Sequence, residues 1–278
     1  MVLDVSAEIT PYSGPERRVA DQFLSIGGLE IPYTTRAKAI AAIDRSLEGA
    51  GQIRVAFCNA NTMLQALTSK EYASAFRRFL VLNDGVGVDI CSKILNGRRF
   101  SENLNGTDFT PAFLRETRHA LRIFLLGGRP GVAEEAAAKF AETYPRHTIV
   151  GTHDGYFEDE RAAEIIAEIN RSGADLVLVA FGNPRQERFV AAHAGEISAP
   201  VILMVGALFD FTAGRVVRAP ALVRALRAEW VFRLAQEPRR LGRRYTVDVV
   251  RFLLTVARLR SRRKDEPTVT QRRLRPEI

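Results

Sequence analysis

Six short apolar runs punctuate the chain: IRVAFC (53–58), FLVLN (79–83), RIFLLG (122–127), TIVG (148–151), DLVLVAF (175–181) and VILMVG (201–206). Each is too short for a stable helix, and near-continuous apolarity is the pattern of strands covered on both faces. Between them lie stretches with helical periodicity, such as GVAEEAAAKFAET (131–143) and DERAAEIIAEINR (159–171). Strands alternating with helices predict an α/β fold, a Rossmann-like, mostly parallel sheet flanked by helices. After about residue 217 the pattern becomes helical only, with Pro220 and Pro238 suited to first helical turns, which predicts a C-terminal helical appendage. The expected division is a flexible leader over 1–25, where TPYSGPERR lacks apolar periodicity, an α/β domain over 26–217, an Arg-rich helical appendage over 218–260 and a basic tail over 261–278.

In open parallel sheets, ligands bind beyond the carboxyl ends of the strands. Here those ends carry CNAN (58–61), NDGVGVD (83–89), GGRPG (127–131), GTHDGYF (151–157), FGNPRQE (181–187) and GALFDFTAG (206–214). βα turns use Gly, Asn and Asp for positive φ and helix caps in any case, yet six such exits together point to one composite site. GGRPG places backbone N–H groups at a helix N-terminus, where phosphate is attracted, with Gly127 and Gly128 closest to it. It matches neither GxxxxGK[ST] nor GxGxxG, so ATP hydrolysis and nicotinamide binding lack their usual signatures. Asp84, at the exit of the second run, could take a proton from a substrate hydroxyl, or could serve only as a turn or cap residue. Asp210, between apolar neighbours, suits a capping or a ligand-binding carboxylate.

Charge adds a second signal. Residues 218–278 hold 17 Lys/Arg against 6 Asp/Glu, whereas 1–217 hold 23 against 26, so all of the net +8 sits at the C-terminal end. That asymmetry calls for an anionic surface or ligand near this segment. Residues 245–259, YTVDVVRFLLTVARL, are apolar around much of a helix and are followed by RSRRK, a pattern that suits anionic lipid as well as a protein contact. No D-x-D occurs and the four histidines form no ligand pair, so neither a metal site nor a cofactor is signalled. Stabilising a departing diphosphate would then fall to arginines, whose rigid fork fits phosphate; FRLAQEPRRLGRRY (232–245) offers five, among them Arg233, Arg240 and Arg243. Two cysteines give no disulfide framework, no N-terminal secretory pattern is present, and no apolar run reaches the length of a membrane span.

The motifs NDGVG, NGTDF (105–109), FLLGGRPGVAE (124–134), IVGTHDGYF (149–157), FGNPRQE, GALFDFTAGRVVRAP (206–220) and EWVFRLAQEPRRLGRRY (229–245), in this order, resemble the WecG/TagA/CpsF glycosyltransferase family over about residues 28–245. The resemblance implies an inverting, metal-independent enzyme. Such an enzyme moves a sugar from a UDP-sugar to a polyprenyl-diphosphate-linked sugar on the inner face of the bacterial plasma membrane. It implies Asp84 as base, Asn59, Asn183 and Gln186 in substrate-binding motifs, and Arg233, Arg240 and Arg243 folding over the nucleotide. Two positions depart from the family pattern: Phe57 stands where Thr is frequent, and Asn103 stands where Arg is frequent ahead of GTD, both being candidate sugar contacts. The donor is therefore open between N-acetylmannosamine and another hexose such as the glucose of exopolysaccharide assembly. A nucleic-acid-binding protein would use the same arginines, but the body's balance of −3 and the lack of aromatics within the basic tail count against nucleic acid as a partner. A homo-oligomer is compatible with the sequence.

Overall fold

The computed structural model describes residues 19–26, 28–220, 223, 229–236, 238, 242 and 246–265. A hairpin comes first, β1 (Phe23–Ile26) with antiparallel β2 (Leu29–Pro32). It is followed by α1 (Arg36–Arg45), β3 (Ile53–Cys58), α2 (Ala60–Thr68), α3 (Lys70–Phe76), β4 (Leu80–Asn83), α4 (Val86–Asn96) and α5 (Gly106–Glu116). The second half contains β5 (Arg122–Gly127), α6 (Val132–Thr143), β6 (Thr148–His153), α7 (Ala162–Ser172), β7 (Leu176–Ala180), α8 (Arg185–His193), β8 (Val201–Met204) and α9 (Leu208–Thr212). Two further helices are described, Glu229–Gln236 and Val247–Asp265.

All six expected strands form, and they pair in parallel in the order β4-β3-β8-β7-β5-β6. Period-2 alternation explains why the runs had to be apolar throughout. Ala56 and Cys58 of β3 face a core shared with Met63 and Leu67 of α2, Tyr72 of α3 and Val190 of α8. Val55 and Phe57 face the opposite core with Ile43 of α1, Phe113 of α5 and Phe140 of α6. Every residue of β4, β7 and β8 is buried, as a sheet covered on both sides requires.

Two features were not expected from the pattern. Strand β1 begins at Phe23, inside the 1–25 segment read as a leader, because the hairpin buries Leu24, Ile26, Leu29 and Ile31 against β4 and α4. The C-terminal helix Val247–Asp265 runs into the segment read as tail and packs on α2 and α4, burying Phe252 and Val256 in the same core. Among the described residues, no helix is long and apolar enough to cross a membrane.

Candidate active site

The carboxyl ends of all six parallel strands open into one cleft of about 1100 Å³. Its lining includes Asn59 after β3, Asp84 after β4, Gly128 and Arg129 after β5, Gly155 and Tyr156 after β6, Gly182 and Asn183 after β7, and Gly206 after β8. Gln186 on α8 and Asp210 on α9 complete it.

Each polar residue is held by the local fold. The Asn59 side-chain oxygen caps α2, accepting from the backbone amides of Asn61 and Thr62 at 3.0 and 3.1 Å. Asp84 is tied to the neighbouring strand exit through its amide, which donates to the Cys58 carbonyl at 2.9 Å. The next residue, Gly85, has φ 87°, a left-handed turn that releases the chain into α4. A side chain at Gly87 would place its Cβ 2.8 Å from Ala60 Cβ, so glycine there lets the N-termini of α4 and α2 meet beside Asp84. Asp210 accepts the amides of Arg215 and Val216 through its backbone carbonyl, closing the α9 turn over the cleft edge.

Two residues expected at the site, Asn103 and Gly127, are not among those that line this cleft. The Asn103 side-chain oxygen Oδ1 accepts the Gly85 amide at 2.8 Å, bracing the Asp84 loop from outside the lining. Gly127 also stands outside it; a Cβ there would fall 2.6 Å from the Ala180 backbone, so its role is the close approach of β5 and β7. Phe57 does line the cleft, packed on Phe109 with ring centroids 5.8 Å apart and pressed against Gly106. One wall is therefore aromatic where a threonine would have offered a hydroxyl. Arg240 and Arg243 lie outside the described residues. Arg233 lies in the helix Glu229–Gln236.

The family model described as "Glycosyl transferase WecG/TagA/CpsF family" matches residues 24–266. The chain belongs to that family. It is a glycosyltransferase, similar to a Bacillus subtilis (strain 168) protein named N-acetylglucosaminyldiphosphoundecaprenol N-acetyl-beta-D-mannosaminyltransferase. The two are 31% identical over 184 residues, 66% of this chain and 70% of the relative.

In this glycosyltransferase three arginines of the catalytic body also line the cleft, and reading the sequence for C-terminal charge passed over them. Arg129 is exposed in the loop between β5 and α6. Arg185 donates to the Gly155 and Phe157 carbonyls and lies 4.9 Å from the Phe181 ring centroid. Arg215 forms a two-pronged pair with Glu135. The signal was available, since each is the basic residue of a strand-exit motif: GGRPG, NPRQE and TAGR. Among the described residues, no three His, Cys, Asp or Glu side chains gather into a cluster able to hold a metal ion.

Proposed function

We propose that the chain transfers a sugar from a UDP-sugar to a polyprenyl-diphosphate-linked sugar, with inversion and without a metal ion, in synthesis of a bacterial cell-surface or exopolysaccharide. The observation that carries this reading is the convergence of Asp84, Asn59, Gly128, Asn183, Gln186 and Asp210 on one cleft in a chain of this family. Asp84 takes the proton from the acceptor hydroxyl as that oxygen attacks the anomeric carbon from the face opposite UDP. The C–O bond to UDP breaks in the same displacement, and the diphosphate leaves with its electron pair. Amides at the start of α6 meet that charge, joined by Arg129 and by Arg233, Arg240 and Arg243 from the C-terminal segment. Each charge-assisted hydrogen bond contributes roughly 1.5–3 kcal/mol, so two or three arginines can supply the electrostatic stabilisation of the leaving group.

One ion-pair network favours a contribution from the C-terminal segment. Arg218 pairs with Asp108 of α5 at 2.6 Å and with Glu229 at 3.7 Å. It thereby ties the helix that carries Arg233 to the element whose first residues, Gly106 and Thr107, line the cleft. The acceptor reading follows the Bacillus relative, whose name gives an N-acetylglucosaminyl-diphosphoundecaprenol substrate. In this reading the enzyme works where the lipid-linked acceptor is presented, at the inner face of the plasma membrane. The helix Val247–Asp265 supports that location, because Val250, Leu253 and Leu254 are about half exposed opposite its buried face.

The test is the Asp84→Asn variant. Turnover falls by about 10²–10⁴-fold, the usual contribution of a general base, while calorimetry gives an unchanged affinity for UDP. Turnover near wild type removes Asp84 from the role.

A further inference from the structure

Glu187, which follows Gln186 in the first turn of α8, is a carboxylate with 0% exposure. One of its oxygens, Oε1, accepts from Asn183 Nδ2 at 2.5 Å and from Gln186 Nε2 at 2.9 Å. The Gln186 side-chain oxygen in turn accepts the backbone amides of Gly182 at 3.2 Å and Gly206 at 3.1 Å, at the exits of β7 and β8. A primary amide has one donor end and one acceptor end. With its NH₂ directed at Glu187 Oε1 and the Met204 carbonyl, Gln186 must present its oxygen to the two glycine amides. Turned the other way, it would set donor against donor at both loops, around a side chain only 2% exposed.

The far side of the carboxyl faces α3 and β3. Tyr72 of α3 is buried beside it, its hydroxyl pKa pushed up by burial and by Glu187; Cys58 of β3 lies near enough to feel the Glu187 charge. Neither group brings a positive charge to Glu187, and burial raises the carboxyl above its ordinary range.

We propose that Glu187 is a positioning residue of the donor site: its Oε1 sets the direction of the Asn183 and Gln186 amides and, through Gln186, fixes the Gly182 and Gly206 loops on the cleft floor. What Glu187 supplies is an acceptor at a fixed point, and its charge is dispensable. The kinetic part of this inference rests on the cleft being a UDP-sugar site, whereas the structural part does not.

The experiment compares Glu187→Gln, Glu187→Asp and Glu187→Leu by donor kinetics and by amide hydrogen exchange over 180–187 and 204–208. Gln keeps an acceptor at the same reach, so exchange, KM for the donor and kcat stay at wild-type values. Asp keeps the charge but withdraws the oxygen, and Leu removes it. Both speed exchange in the two segments and raise donor KM by up to about tenfold, the scale of one lost hydrogen bond, while exchange in β5 and α6 is unchanged. If the Leu variant fails to fold, the order of Gln against Asp still decides. An Asp variant that behaves as wild type while Gln is impaired overturns the proposal, as does unaltered exchange in both Asp and Leu. Should no UDP-sugar prove to be a substrate, the exchange rates by themselves decide whether Glu187 holds the two loops.

Discussion

At the scale of single residues, the cleft separates groups that line it from groups that hold those groups still. Asp84, Asn59 and Gln186 face it, whereas Asn103 and Glu187 work one layer behind. The buried acid has a thermodynamic signature. In the unfolded chain Glu187 titrates at the ordinary value near about 4.3, while burial raises it in the fold. Between those two values the folded state binds a proton that the unfolded state has lost, so stability from this group falls as pH rises through the window. Glu187→Gln removes the titration. Urea melts should therefore show the variant gaining on wild type as pH rises above the ordinary carboxylate range, and parallel stability curves would contradict a raised acid at this position.

At the scale of elements, the strands and their exits were legible because a parallel sheet leaves no face for polar residues and because βα turns need Gly, Asn and Asp. The hairpin β1–β2 was not legible. Its strands are four residues each, and only packing against β4 and α4 makes them a structure. Which polar residues line the cleft and which brace it was equally hidden. Asn103 and Gly127 sit in the right motifs, but their direction depends on neighbours remote in sequence, Gly85 and Ala180. The C-terminal helix shows two apolar faces where the sequence showed one broad stripe. Phe252 and Val256 are inside the core, and losing a buried Phe costs about 3–5 kcal/mol, so removing the helix would disturb the sheet layer as well. Substituting the outer face isolates the other role. A chain with Val250→Glu and Leu253→Glu should lose flotation with anionic liposomes while its melting temperature is kept. Flotation equal to wild type would assign that face to something other than lipid.

At the scale of the whole molecule, charge and chemistry divide between two regions. The body carries a balance of −3 and the cleft; the last 61 residues carry the positive excess. That net figure concealed Arg129, Arg185 and Arg215, which the acidic residues of the body, Glu135 beside Arg215 among them, cancel in the sum although the three stand together at the sheet edge. The proposed reaction suits this division, with a diphosphate donor among the strand exits and arginines and a lipid-linked acceptor at the basic end of the chain. The most direct measurement is transfer itself. Purified full-length protein is given labelled UDP-N-acetylmannosamine or UDP-glucose and N-acetylglucosaminyl-diphosphoundecaprenol in EDTA, and lipid-extractable label is followed. The account predicts label in the lipid from one of these donors, undiminished by the chelator and inverted at the anomeric carbon. Transfer that appears only when magnesium is restored, or a product of retained configuration, would contradict it.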